Sequence, residues 1–374
     1  MTETFNLREE THQPEFKLQK QIGIFLSKQK WQGLVSQHYN SGLAELVQAA
    51  DSLGISPVWF SSPQEGIDQG LLLAATIKHG VLQIGQQAMP EVVYDLGVFD
   101  EKERAEGRKI RAALTTQKVK LVNTRSAFSK WSTHVTLSQD RLISPHLPQT
   151  VRFSQISDLS DLLSSYSKVC VKSYWGSRGK EVLFIEQEKK KLTLLFPDGT
   201  VKVFKRIEEL GEAIFRFMGQ KECLAQQRIE LATRKDRHFD IRVLLQKVSL
   251  KRWDCTTLCL RLALTGHGST STSQGGVVSA VKPVLVELWP SGYLEIIAEV
   301  KRLAFNVAEM LENIYGPLGE LGIDVGVDIN GGVWCFEVNG KPGKVTVRRL
   351  KQSHLTQLAY QRPLLYAKML LEEK

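Results

Sequence analysis

Asp324, Glu337 and Asn339 are the side chains of this 374-residue chain whose types and spacing point most directly to chemistry. They lie in GIDVGVDINGGVWCFEVNGKPGK, residues 322 to 344, where two apolar, β-branched runs flank Asn330-Gly331. Asn-Gly is the strongest short signal for a two-residue hairpin turn, because both central positions take positive φ. Such a turn opposes Ile329 to Gly332, and counting outward sets Asp324 against Glu337. The period of two puts Asn339 on the same face as Glu337. Hard oxygen ligands would then converge, the donor class that suits Mg²⁺ shared with phosphates. Asp328 lies on that face nearer the turn and is a weaker candidate ligand. The plain alternative is a solvated hairpin with acidic ends.

A second segment, VCVKSYWGSRGKEVLFIE at residues 169 to 186, is basic and glycine-rich. Gly176 and Gly179 would let backbone approach a ligand, while Lys172, Arg178 and Lys180 supply charge suited to polyphosphate. Alone this is equally an ordinary hairpin with a basic loop, since the Walker pattern is absent. Downstream come Gln226-Gln227, then Asp240-Ile241-Arg242, then Arg261, then the acidic hairpin. Arg242 and Arg261 alternate with apolar neighbours on strand-like runs, and a buried arginine there needs an anion. Asp240 or a bound phosphate or carboxylate would serve.

This linear order is similar to that of ATP-grasp enzymes, and nearly the whole chain resembles the YheC/YheD family, the endospore coat-associated ATP-grasp proteins. The resemblance is carried by the segments above together with MPEVVYDLG (89 to 97), NTRSAFSKW (123 to 131), LPQT (147 to 150) and HFDIRVLLQK (238 to 247). It departs at GSTSTSQGGVV (268 to 278), where Ser271 and Gln274 stand in place of an amide and an arginine. The resemblance implies an α/β ATP-grasp fold preceded by a pre-ATP-grasp-like α/β domain. It implies ATP held by Lys130, Lys172, the loop Gly176, Ser177, Arg178, Gly179 and Lys180, and Gln226 or Gln227. It further implies Arg242 and Arg261 in catalysis, and one or two Mg²⁺ ions, or Mn²⁺, on Asp324, Glu337 and Asn339. Read alone, Lys130 is a solvated helix lysine.

The elements that would position these groups follow from periodicity. Residues 1–19 read as a polar arm. Residues 20–125 read as an α/β domain: QIGIFLSK and ISPVWF as strands, SGLAELVQAADSL as an amphipathic helix stopped at Gly54, and EKERAEGRKIRAALTTQ as another helix, giving a small parallel sheet covered by helices. Residues 126–225 would be a lid, with SAFSKWSTHVTL helical, and CLAQQRI the hinge strand. Residues 226–374 would be the large lobe carrying the metal hairpin.

Composition narrows the class. The N-terminus lacks the basic and apolar regions of a secretory signal, and no run is long enough for a membrane helix, so the expectation is a cytoplasmic protein. The five cysteines lack metal-type spacing and read as reduced core residues. The net charge of +9, from 49 basic and 40 acidic side chains, is dispersed rather than striped, which argues against nucleic acid as the partner.

The resulting expectation is a ligase that activates a carboxylate with ATP through an acyl phosphate, then joins it to an amine or thiol. Its partners would be ATP, an unidentified carboxylate, a nucleophilic acceptor and, through the family, spore-coat proteins. The competing readings are a nucleotide-binding scaffold of the endospore coat without turnover, motivated by the altered 268 to 278 loop, and a nucleic-acid or cell-wall-polymer binder using the basic surface.

Overall fold

The strand β1 (Gln19–Phe25) sends alternate side chains to two cores, and that alternation organises the first part of the chain. Ile22 and Ile24 face one core, with α1 (Lys28–Val35) and α2 (Ser41–Ser52). Phe25 faces the other, with α3 (Arg104–Thr116). Around β1 stand β2 (Val58–Phe60), β3 (Leu71–Lys78), β4 (Val81–Ala88), β5 (Pro90–Asp95) and β6 (Lys120–Leu121), in the order β4-β3-β2-β1-β5-β6. The sheet is parallel from β2 to β6, and the antiparallel β3–β4 hairpin extends it. The sequence reading leaves that hairpin out, because LLLAATIK is a continuous apolar run without the alternation that marks a strand. The computed structural model describes residues 19–373 apart from 79, 100–101, 177–180, 190, 265–269, 271 and 273–274.

Then comes α4 (Lys130–Leu137), followed by a wholly antiparallel second sheet. Its strands are β7 (Thr150–Phe153), β8 (Lys168–Ser173), β9 (Val182–Glu188), β10 (Lys191–Leu195), β11 (Val201–Phe204) and β12 (Cys223–Gln227). Their order is β11-β10-β9-β8-β12-β7. Two helices, α5 (Ile156–Ser165) and α6 (Ile207–Met218), bury Leu159, Leu162, Leu210 and Ile214 against it. The third sheet holds β13 (Thr233–Arg234), β14 (Arg237–Lys247), β15 (Trp253–Leu262), β16 (Val277–Ala280), β17 (Glu320–Val327) and β18 (Val333–Asn339). It runs β16-β15-β14-β17-β18, with β13 paired to β14.

On β14 the odd residues Ile241, Val243 and Leu245 pack under α7 (Val281–Leu288) and α8 (Tyr293–Tyr315), which leaves the even ones for the opposite face. Two segments cross the sequence-drawn divisions. Leu137 of α4 and nearby Ile143 pack into this third core, not into that of the second sheet. After α9 (Val345–Arg349), α10 (Ser353–Glu372) sends Leu364, Tyr366 and Leu370 into the core of the first sheet. All five cysteines are unpaired, and four of them are buried. Among the described residues no helix is long and apolar enough to cross a membrane.

Candidate functional site

The hairpin β17–β18 does set Asp324 opposite Glu337, by a route different from the expected one. The strands end at Val327 and Val333, and the tip runs from Asp328 to Gly332 with Gly331 at φ +86°. This longer tip shifts the register by one, and an extra residue at Phe336 shifts it back between Val325 and Asp324. Asp328 is a turn cap: its carboxylate accepts from the amides of Asn330 and Gly332 and from Trp334 Nε1, at 2.9, 2.8 and 2.8 Å. That gives it a task in holding the turn.

A row of charges crosses the face of the third sheet opposite α7 and α8. Cross-strand pairing sets Asp240 against Arg261 and Arg242 against Asp324, with Glu337 next in line. Asp324 is fastened by arginines. Arg242 donates from Nε to Oδ1 and from Nη2 to Oδ2 at 2.9 Å, while Arg261 approaches Oδ2 at 3.0 Å. Arg261 also grips Asp240 in a two-pronged bond at 2.6 Å, and Thr270 donates to the same carboxylate. Burial pushes the Asp324 carboxyl up, but Arg242 and Arg261 hold it below its ordinary value.

Glu337 remains one-third exposed and lies 3.6 Å from Lys130 Nζ. Burial draws the Lys130 ammonium below its usual range although Glu337 opposes this. Lys130 also donates to the carbonyl of Gly176. Asn339 lies two residues on, half-buried, its side chain without a hydrogen-bond partner among the described residues. Among those residues no three His, Cys, Asp or Glu side chains form a self-contained metal cage. The donors present are nevertheless of the right kind. Glu337 and the Asn339 amide have oxygens to offer, and Asp324 keeps one acceptor direction beyond its three arginine contacts.

Facing the hairpin across a cleft is the second sheet. Lys172 on β8 is buried, and its ammonium donates at 2.7 Å to Gln226 Oε1 on neighbouring β12. Gln226 in turn donates to Thr150 Oγ1 at 2.8 Å. Among the described residues Lys172 has no carboxylate within ion-pair distance. An ammonium has three donors, and removing it from water with one neutral partner is costly unless an anion completes it. The cleft is lined by Lys130, Lys172, Gln226 and Glu337 together with apolar groups including Leu147, Leu224 and Phe336.

Gln227 is not in this lining. Its side chain accepts from the Gln149 amide at 3.2 Å and ties β12 to the segment before β7. Ser177, Arg178, Gly179 and Lys180 lie outside the described residues, as do Ser271 and Gln274 of the altered loop. The sequence reading missed Phe128, Thr133 and His134, which also line the cleft. The signal was available for two of them: Lys130, Thr133, His134 and Leu137 recur at the spacing of one helical face. His134 is held neutral to about pH 4, first by burial and then by Lys172.

Several known proteins share this architecture. Residues 118–370 match the family described as YheC/D like ATP-grasp. Endospore coat-associated protein YheD of Bacillus subtilis (strain 168) is 28% identical over 300 residues, a match that spans 76% of this chain and 64% of YheD, less than two thirds of that relative. Endospore coat-associated protein YheC of the same organism is 24% identical over 351 residues, spanning 91% of this chain and 95% of YheC. Among solved structures, D-alanyl-alanine synthetase A from Vibrio cholerae superposes with a TM-score of 0.53 at 12% identity, over 93% of this chain and 100% of that one. VanG D-Ala:D-Ser ligase from Enterococcus faecalis gives 0.52 at 11%, over 93% and 100%. At these identities the structural likeness establishes the fold, which is ATP-grasp. With the family match covering well over half of its residues, the chain belongs to the YheC/D-like ATP-grasp family.

Proposed function

We propose that this chain binds ATP in the cleft between the second sheet and the β17–β18 hairpin and uses it to activate a carboxylate. One observation carries the reading: among the described residues Lys172 is buried with a single neutral hydrogen-bond partner, beside Lys130 and across from Glu337. A polyphosphate satisfies both lysines at once, whereas an empty cleft leaves a desolvated cation. The apolar lining from Leu147, Leu224 and Phe336 suits the faces of a base ring. A divalent cation would be held by Glu337, Asn339 and the remaining acceptor of Asp324, and when bound would neutralise charge on the terminal phosphates.

In this reading a carboxylate oxygen of the substrate bonds to the γ-phosphorus as the bond to ADP breaks, giving an acyl phosphate. An amine or thiol then attacks the acyl carbon, phosphate leaves, and the nucleophile loses its proton. The protein contributes position and charge: Lys130 and Lys172 on the phosphates, Arg242 and Arg261 behind Asp324. The names of YheD and YheC motivate extending endospore-coat association to this chain, with coat proteins as partners. A second reading, a nucleotide-binding coat scaffold without turnover, is favoured by the occupation of Asp324 by two arginines, which leaves it little room as a ligand. We also propose the three sheets as the cores of three lobes.

Calorimetric titration with a non-hydrolysable ATP analogue, with Mg²⁺ and then with EDTA, tests the site. Metal-dependent binding that weakens about tenfold or more in Lys172→Met is expected. Equal affinity in wild type and variant would remove the phosphate role. ADP formation that requires an added carboxylate separates the ligase from the scaffold.

A further inference from the structure

The outermost strand of the first sheet is β4, eight residues long, and among the described residues it pairs with β3 alone. Lys78 pairs with Val81 across a two-residue turn in which Gly80 takes φ +76°, and the closing pair of such a hairpin is hydrogen-bonded. Bonding alternates from there, so Val81, Gln83, Gly85 and Gln87 bond to β3. Leu82, Ile84, Gln86 and Ala88 direct their amides and carbonyls outward. A row of unpaired backbone groups is a template for a further strand, and folded proteins blunt such edges with short strands, charge, proline or bulges.

The other sheet edges are blunted in those ways. β6 has two residues, and β7, β11 and β16 have four each. β7 carries Arg152, β11 carries Lys202, and β18 has Glu337 and a shift in its register. β4, VLQIGQQA, has no charge and no proline, and its pairing with β3 is unbroken from Val81 to Ala88. Its side chains add an apolar patch. Ile84 lies opposite Ala75 and Leu82 opposite Ile77, on the face that packs toward α1 and α2. Leu73, two residues before Ala75, shares that face. The helices do not reach the edge: Ile84 is 48% exposed and Leu73 53%, against 0% for Ala75.

We propose that β4 is a dimer interface, pairing antiparallel with β4 of a second copy of this chain about a two-fold axis perpendicular to the sheet. That operation joins two first sheets into one continuous sheet and keeps the α1 and α2 side the same in both, so the apolar patches meet. Ile84 stands at the middle of β4, so the axis brings it beside its own copy, where the two aliphatic side chains cover each other. Charge favours a second copy over a charged peptide. β4 opposes itself without like charges although each chain carries +9, whereas a charged strand would find no counter-ion on it. The two-fold uses the β4 edge of both copies, so assembly closes at the dimer and does not propagate.

Sedimentation equilibrium of the full chain over a range of concentrations tests this, with the variants Ile84→Lys and Gln86→Pro. The first sets two like charges beside each other across the axis, and the second removes an outward amide that β3 does not use. Val203→Lys, on the exposed β11 edge, is the control. A dimeric wild type is expected, with its dissociation constant raised about tenfold or more in Ile84→Lys and Gln86→Pro and unchanged in Val203→Lys. Far-UV circular dichroism of the variants should match wild type, because Ile84 and Gln86 are exposed; should one of them unfold, the other still decides. A wild type that is monomeric at every concentration would overturn the proposal and leave strand addition by another protein as the reading of this edge. A dimer retained in both β4 variants, or lost equally in Val203→Lys, would place the interface elsewhere and overturn it too.

Discussion

At the scale of single residues, the arginine pair on Asp324 decides what that carboxylate can do. Removing its charge strands Arg242, which has no other carboxylate within ion-pair distance among the described residues, whereas Arg261 keeps Asp240. Breaking one side of a buried pair typically costs about 3–5 kcal/mol. Asp324→Asn should therefore lower thermal stability markedly, and a second substitution, Arg242→Met, should restore part of it in a double-mutant cycle. Additive losses would mean that the two do not act as a pair. His134 gives a pH signature. Its folded value is about 4 against an ordinary 6.5, so the neutral form is favoured by folding. Stability is full above about pH 6.5 and falls as pH drops toward 4, because the unfolded chain binds the proton first. Allowing for its partial exposure the loss is about 1–2 kcal/mol. Urea unfolding of wild type and His134→Gln between these limits checks it: the two should converge in pH dependence only if another group is responsible.

At the scale of elements, the site depends on register, and register shows where sequence reasoning reaches and where it stops. Asp324 and Glu337 were legible as a pair because counting outward from Asn330-Gly331 arrives at both, although the register between is irregular. The tip and the extra residue were not, since each shifts the count by one and the two shifts cancel at the acidic pair. Phe336 looks like one more apolar strand residue, yet its ring lies over Gly326, where a Cβ would meet it at 2.4 Å. Deleting Phe336 should slide β18 by one position, turn Glu337 and Asn339 toward the α8 face, and abolish metal-dependent nucleotide binding. Retained binding would show that the extra residue does not aim the pair. The α4 face was legible in spacing, but its attachment to the third core was not. A helix with Leu137 as its last apolar residue does not say which sheet it covers. The pairing of Lys341 with Asp95 was likewise hidden, because the partners are far apart in sequence and no periodic pattern links them.

At the scale of the whole molecule, the packing predicts which parts move together. The first and third sheets are stitched by α10, which buries Tyr366 and Leu370 with β1 and β5 and also packs on β14. Asn123 reinforces the junction: its amide donates to the carbonyls of Glu320 and Gly340 and accepts from the amides of Gly319 and Glu320. The second sheet has its own core, from Phe153 to Ala225. Its ties to the rest include the Lys168–Glu230 ion pair at 3.6 Å and the Lys130–Gly176 bond. A lobe with a separate core and few polar ties opens at a lower free energy than the body it closes on. Hydrogen exchange without ligand should accordingly show β8 and β9 exchanging faster than β1 and β14. With a non-hydrolysable ATP analogue and Mg²⁺, protection should rise across β8, β9, β12 and α4, because Lys172 and Lys130 are then drawn to one polyphosphate. β2 to β4 lie outside the cleft and should not change. Uniform protection through all three sheets would mean that the lobes unfold as one unit and that ligand binding stabilises the molecule without closing a lid.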